Sequence, residues 1–188
     1  MIFGRRRNTS WQVYAPFSAW AALWASLMAG LAFALIDTGL GWALRGVSPS
    51  VPLRMTAAIV LGPATVTSSE QVDVGIALIA ILLHTTLSVL YGTFLALMLP
   101  SVDRGWSVLI GGFYGLALYY VNFYGFNAFS PWFAGERDWL NIVSHFVFGA
   151  VLAYAYTGLC RRRPGSTIAP PSTRDRRSAD VQGRNGFI

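Results

Sequence analysis

The chain has 188 residues, of which 54% are hydrophobic and only 12% charged, and its mean hydropathy is +0.49. A soluble domain carries about 25% charged residues, so these figures exclude a water-faced globule and indicate a bilayer as solvent. The net charge is +6, but the arginines crowd at the two ends, beside apolar runs, as topology signals do; that placement excludes a nucleic-acid surface.

Residues 1–14, with Arg5, Arg6 and Arg7, read as a cytoplasmic N-terminus. A membrane span needs about 20 apolar residues, and 15–36 is the first stretch to qualify. Its apolar run exceeds the roughly 7–15 residues of a signal-peptide core, so it is expected to stay in the protein. The connection 37–73 is too long for a turn. Within it, "LGWALRG" (40–46) reads as a short interfacial helix anchored by Trp42. The segment 51–62, in "SVPLRMTAAIVLGP", reads as an external half-helix. Ser50 would cap it, Pro52 suits its first turn, and Gly62 with Pro63 ends it. It is too short to span and apolar on nearly every side, so a re-entrant or interfacial placement fits. Arg54 inside it needs a counter-charge, carbonyls or water. Asp37, Glu70 and Asp73 are candidate partners, and snorkelling to the headgroups is the alternative.

Three more spans follow, at about 74–99, 106–128 and 139–160. Pro100, Ser101, Asp103 and Gly105 separate the first two of these. Ser130, Pro131, Gly135, Glu136, Arg137 and Asp138 separate the last two. Glu136 and Asp138 read as solvated loop charges. Residues 161–188, polar and rich in Pro, Ser and Arg, read as a disordered basic cytoplasmic tail. Placing both ends in the cytoplasm puts Arg5–Arg7, Arg104, Arg161–Arg163 and the tail inside, leaving Arg45, Arg54 and Arg137 outside. The positive-inside rule therefore gives N-in, C-in. All 14 basic residues are arginine, which points to a GC-rich bacterial coding sequence and hence a bacterial inner membrane. The single Cys160 excludes an intrachain disulfide and a thiolate metal cluster.

Helix neighbours recur at i+4. That spacing collects Ser18, Ala22, Ser26, Gly30 and Ala34 in the first span, and Ser88, Gly92 and Ala96 in the second. It collects Gly111 and Gly115 in the third, and Gly149, Ala153 and Thr157 in the fourth. Small faces let backbones approach where lipid supplies no hydrophobic drive between helices. Four of them predict an all-α, integral membrane four-helix bundle with one or two short external re-entrant or interfacial helices. His84 lies four residues before Ser88, His145 four before Gly149, and Asn122 seven beyond Gly115, so all three aim at helix contacts. They sit roughly 9–16 Å below the outer surface and form, with Arg54 and Asp37, a candidate intramembrane polar cluster. Tyr119 and Ser144 are near enough in sequence to join it.

Two readings of that cluster stand. Neutral imidazoles can bond Asn, Ser or carbonyls as interhelical glue. Alternatively the cluster is the polar pathway of a small proton-linked transporter or channel, since small shifts carry histidine across physiological pH. Paired histidines could also be haem ligands, but nothing else in the chain supports haem, and no cofactor or metal is expected. No GxSxG, HExxH or Walker A sequence occurs and no span holds a carboxylate pair, so no enzyme activity is expected.

The stretches "PLRMTAAIVLGP", "LLHTTLSVLYGTFLALML", "GFYGLALYYVNFYGF" and "PWFAGERDWLNIVSHFVFGAVLAYAY" occur in this order. Together, over about 15–160, they resemble a group of small, uncharacterised bacterial four-span inner-membrane proteins. Some members of that group carry a "sodium:proline symporter" label. The resemblance implies membrane location, span count and the presence of Arg54, His84 and His145 in recurring motifs. It implies no activity: transporters of the labelled kind are built from large inverted repeats, which four spans cannot form. The expectation is therefore a multi-pass, non-enzymatic helix-contact or envelope-support protein. Its expected partners are the lipid bilayer and a second copy or another membrane protein.

Overall fold

The computed structural model describes residues 17–66, 71–99 and 104–161. The arginine-rich N-terminus, Glu70, the Pro100–Asp103 break and the tail beyond 161 lie outside the described residues. Every described element is helical, and three helical stretches are long and apolar enough to cross a membrane: Ala19–Arg45, Val74–Met98 and Trp139–Cys160.

Helix α1 (Ala19–Ala34) starts where the Ser18 hydroxyl accepts the Ala21 N–H at 3.3 Å. The expected stop near residue 36 does not occur. The backbone passes through a π-helical stretch, Leu35–Leu40, straight into α2 (Gly41–Arg45), and only Gly46, at φ +65°, ends it. Gly39 costs a helix only about 1 kcal/mol, whereas Gly46 adopts the left-handed conformation that terminates one. Residues 40–46 are thus not a separate interfacial helix but the final turns of the first one.

Helix α3 (Ser50–Leu61) also begins differently from expectation. The cap position falls on Pro49 and Ser50 is the first helical residue; the Ser48 Oγ accepts the Ser50 N–H at 3.4 Å and lies 3.0 Å from the Ser50 hydroxyl. Pro49 has a fixed φ and no N–H to satisfy, so it enters at the helix start and moves the cap one step earlier. Gly62, at φ +90°, followed by Pro63, closes α3.

Helix α4 (Val74–Met98) is capped by Asp73, whose Oδ1 accepts the Ile76 N–H at 3.0 Å. It ends at an extended Leu99, as a residue before proline should. Helix α5 (Arg104–Tyr120) is 17 residues long, shorter than the 106–128 expected of the third span. Beyond Tyr120 the chain widens into a π-helical stretch, Val121–Gly125, and then tightens into 3₁₀ turns at Phe126–Ala128 and Pro131–Glu136. Helix α6 (Trp139–Arg161) follows, its start capped by Asp138 Oδ1 on the Asn141 N–H at 3.0 Å.

Large and small residues are sorted opposite to a soluble core. Ala22, Ala25, Ala29, Ser26, Ala57, Ala58 and Ala153 are fully or almost fully buried. Trp20, Leu31, Leu82, Leu97 and Phe113 are each more than 60% exposed. A lipid-facing protein shows this pattern, because bulky apolar side chains gain nothing by leaving hydrocarbon while small ones allow close helix contact.

Helix α6 is central, with α5 on one side and α1 on the other, and α4 packs on α1. Gly30 sits against Ser88 and Gly92 against Ser26, which sets α1 and α4 antiparallel. Gly111 meets the Gly149 carbonyl and Gly115 the His145 carbonyl, which sets α5 and α6 antiparallel at backbone contact. Tyr91 and Phe94 of α4 reach Tyr114 of α5. Each of the packing residues Gly30, Ser88, Gly92, Gly111, Gly115 and Gly149 lies at such a contact. Helix α3 packs on α4, and Trp132 fixes it to the 131–136 turn by donating from Nε1 to the Met55 carbonyl at 3.2 Å.

Candidate functional site

The antiparallel register brings His145, Asn122 and Tyr91 together from three helices. The Tyr91 hydroxyl donates to Asn122 Oδ1 at 2.9 Å, and Asn122 Nδ2 lies 3.4 Å from His145 Nε2. The other ring nitrogen, Nδ1, is 2.8 Å from the Asn141 carbonyl of the preceding turn. A carbonyl only accepts, so the neutral ring carries its proton on Nδ1 and presents Nε2 as an acceptor to the Asn122 amide. The chain extends both ways. Tyr114 donates to the Tyr91 carbonyl at 2.8 Å, and Asn141 Nδ2 donates to the Glu136 carbonyl at 3.0 Å. Rings of Tyr119, Phe123 and Phe33 enclose His145, with centroids at 5.6, 5.6 and 4.9 Å. Ser144 is fully buried beside it in sequence, and its hydroxyl has no partner among the described residues.

His84 belongs to a second contact. Its Nε2 donates to the Gly30 carbonyl of α1 at 2.9 Å. A side chain at Gly30 would collide with Ser88, so the glycine permits the close approach of α4 to α1 at this level. The two histidines do not bond each other; the Phe33 ring lies near both, 5.5 Å from His84 and 4.9 Å from His145. A small cavity of about 80 Å³ lies between them, lined by Phe33, Tyr91, Asn122 and both imidazoles.

Arg54 does not join the cluster. It donates to the Gln71 carbonyl at 3.1 Å, away from Asp37, and Asp73 is engaged in capping α4. The arginine that meets carboxylates is Arg45, which pairs with Asp138 and reaches Glu136 at 4.0 Å. Glu136 and Asp138 are therefore not plain solvated loop charges. Burial pushes the Glu136 carboxyl above the ordinary carboxylate range, with Arg45 opposing and Asp138 reinforcing the rise. Arg137 donates from Nε and Nη2 to the Phe123 carbonyl, at 3.0 and 2.8 Å, and lies over the Tyr124 ring at 4.2 Å.

Asp37 is half-buried and makes no ion pair or side-chain hydrogen bond among the described residues. It lines a larger groove of about 350 Å³ between α1, α3 and α4, which also receives Thr38, Thr56, His84 and Thr85. Asp37 and Asn122 each lie in a π-helical stretch, a widening that re-aims side chains and recurs at functional sites.

Tyr91 and Phe33 join the site beyond the expected residues, and spacing marks both. Tyr91 lies two turns beyond His84 on the same helix face, and Phe33 is three residues from Gly30. Nothing in the sequence marks the Arg45–Asp138 pair, whose members stand 93 positions apart. The comparisons with known proteins add no relative: no protein-family model, curated protein or solved structure matches the chain.

Proposed function

We propose that the protein is a four-span bundle of the bacterial inner membrane, with α1, α4, α5 and α6 as spans and both termini cytoplasmic. Its role is non-enzymatic and rests on helix contacts that support the envelope or a larger membrane assembly. The resemblance to small four-span bacterial proteins agrees with this reading. So does the antiparallel order of the helices, which puts the start of α1 and the end of α6 on one side. With that side cytoplasmic, α3, the 131–136 turn and the Arg45–Asp138 pair lie outside.

The observation that carries the proposal is the engagement of the interior polar groups with other helices. Tyr91, Asn122 and His145 join α4, the π-helical stretch that follows α5, and α6, and His84 joins α4 to α1. Such bonds are worth about 0.6 kcal/mol on average, up to roughly 2, in a membrane interior. Reconstituted in liposomes holding a pH dye, the protein should pass no protons or solutes. A His84→Ala, His145→Ala double variant should be just as silent but less stable.

A specific observation also favours the second reading, a small proton-linked transporter. His84 lines both cavities, and Asp37 opens on the larger one without a partner. A pH-dependent flux in the same liposomes, abolished in the double variant, would establish that reading and displace the first.

A further inference from the structure

The groove between α1, α3 and α4 has a composition that helix support does not explain. Along α1 it runs from Leu27 to Thr38, roughly 15 Å at 1.5 Å per residue. Its walls are mostly apolar, with Leu31, Phe33 and Ala34 of α1, Leu53 of α3 and Ile81 of α4, while His84, Thr85 and Ser88 add polar groups from α4. Asp37 lines it, as do Thr38 and Thr56. Among the described residues no arginine lines it.

The surroundings reinforce the negative charge. Glu136, Asp138 and Arg45 are the charged groups within electrostatic reach of Asp37, so three carboxylates face one guanidinium. Arg54, the cation nearest in sequence on α3, is turned to the Gln71 carbonyl. Arg45 is engaged by Glu136 and Asp138, and a carboxylate half-buried among apolar side chains with no direct ion pair among the described residues is costly. Its complement is a cation with N–H donors for the carboxylate and the threonine oxygens. A divalent metal does not suit the groove, because such ions take six or more oxygen ligands or several carboxylates, and no group of three His, Cys, Asp or Glu side chains gathers among the described residues. The volume falls at the lower end of small-organic-ligand pockets, which are likewise mostly apolar with a few placed polar groups.

We propose that this groove binds an organic ammonium carried on an apolar chain. Asp37 is the counter-charge, Thr38 and Thr56 accept further N–H bonds, and the chain lies along Leu31, Phe33, Leu53 and Ile81. Binding of this kind goes beyond helix support and does not require transport.

The test uses the full chain in phosphatidylcholine nanodiscs, whose quaternary headgroup has no N–H to offer. Radiolabelled octylammonium is the probe, with empty nanodiscs subtracted. Saturable binding of one octylammonium per chain is expected, about tenfold or more weaker in Asp37→Asn and retained in Asp37→Glu. Thr56→Trp, which fills the groove but leaves the carboxylate, should also lose binding, so the idea survives a failure of Asp37→Asn to fold. Absence of saturable binding overturns the proposal. So does equal binding by wild type and either Asp37→Asn or Thr56→Trp, or displacement by 1-octanol as effective as by unlabelled octylammonium. A flux measurement in liposomes is separate, and its failure leaves this result untouched.

Discussion

At His145 the hydrogen-bond pattern fixes more than position. With Nδ1–H on the Asn141 carbonyl, Nε2 must accept, and the Asn122 amide must present its nitrogen. A second proton on the ring would face the amide N–H₂ and force Asn122 to rotate, which turns its oxygen away from Tyr91. The imidazole ¹⁵N shifts of His145 should accordingly report the Nδ1–H form at neutral pH. Asn122→Leu removes both bonds and should destabilise the protein by about 1–2 kcal/mol in reversible unfolding from bilayers. Glu136 carries a pH prediction. Its folded carboxyl titrates above its unfolded value, so the folded state holds the proton more tightly. The contribution to stability is full at pH below the unfolded value and is lost as pH rises through the folded one. Glu136→Gln should therefore flatten the pH dependence of melting on that acidic limb and leave neutral-pH stability equal or higher. Asp138→Asn should lower it, because Asp138 both pairs with Arg45 and caps α6. A neutral-pH melting point that falls further in Glu136→Gln than in Asp138→Asn would contradict this account.

Among the elements, the glycine contacts decide which helices can meet. A Cβ at Gly115 would run into the His145 carbonyl, and one at Gly149 into the Gly111 carbonyl. Neither obstacle is a flexible side-chain end. Gly115→Ala or Gly149→Ala should each cost about 1–3 kcal/mol by overpacking, whereas Gly135→Ala, with open space around it, should be near neutral. Thermal melts of the three variants check this order. Much of this was legible in the sequence, because i+4 spacing of small residues is a one-dimensional record of a helix face. The aims of His84, His145 and Asn122 followed from the same spacing. Helix ends were less legible. Gly39 and Asp37 look like a break, yet the π-helical widening absorbs them, and only backbone geometry separates that outcome from a turn. Partners far apart in the chain, such as Arg45 with Asp138 or Trp132 with the Met55 carbonyl, leave no periodic trace. Arg54 lies on the Gln71 carbonyl rather than on Asp37 or Asp73, and Glu70, the third candidate partner, falls outside the described residues.

For the molecule as a whole, the exposed belt of Trp, Leu and Phe side chains around an alanine and glycine interior marks a membrane protein. The start of α1 and the end of α6 fall on one side. A fluorescent protein fused to the C-terminus should glow, while alkaline phosphatase fused there should stay inactive and become active when fused after Gly135. The reverse result would invert the proposed topology and place the Asp37 groove at the cytoplasmic face.

The grip of Arg137 on the Phe123 carbonyl bears on how the chain enters the bilayer. The π-helical end of α5 leaves that oxygen to a residue made fourteen positions later. In the proposed four-span arrangement Arg137 supplies this carbonyl with its side-chain donors, and a backbone group left unsatisfied in hydrocarbon would cost several kcal/mol. On that arrangement, α5 and α6 should integrate as a hairpin rather than one at a time. Nascent chains arrested shortly before that arginine clears the translocon should remain extractable by alkali, and longer ones should not.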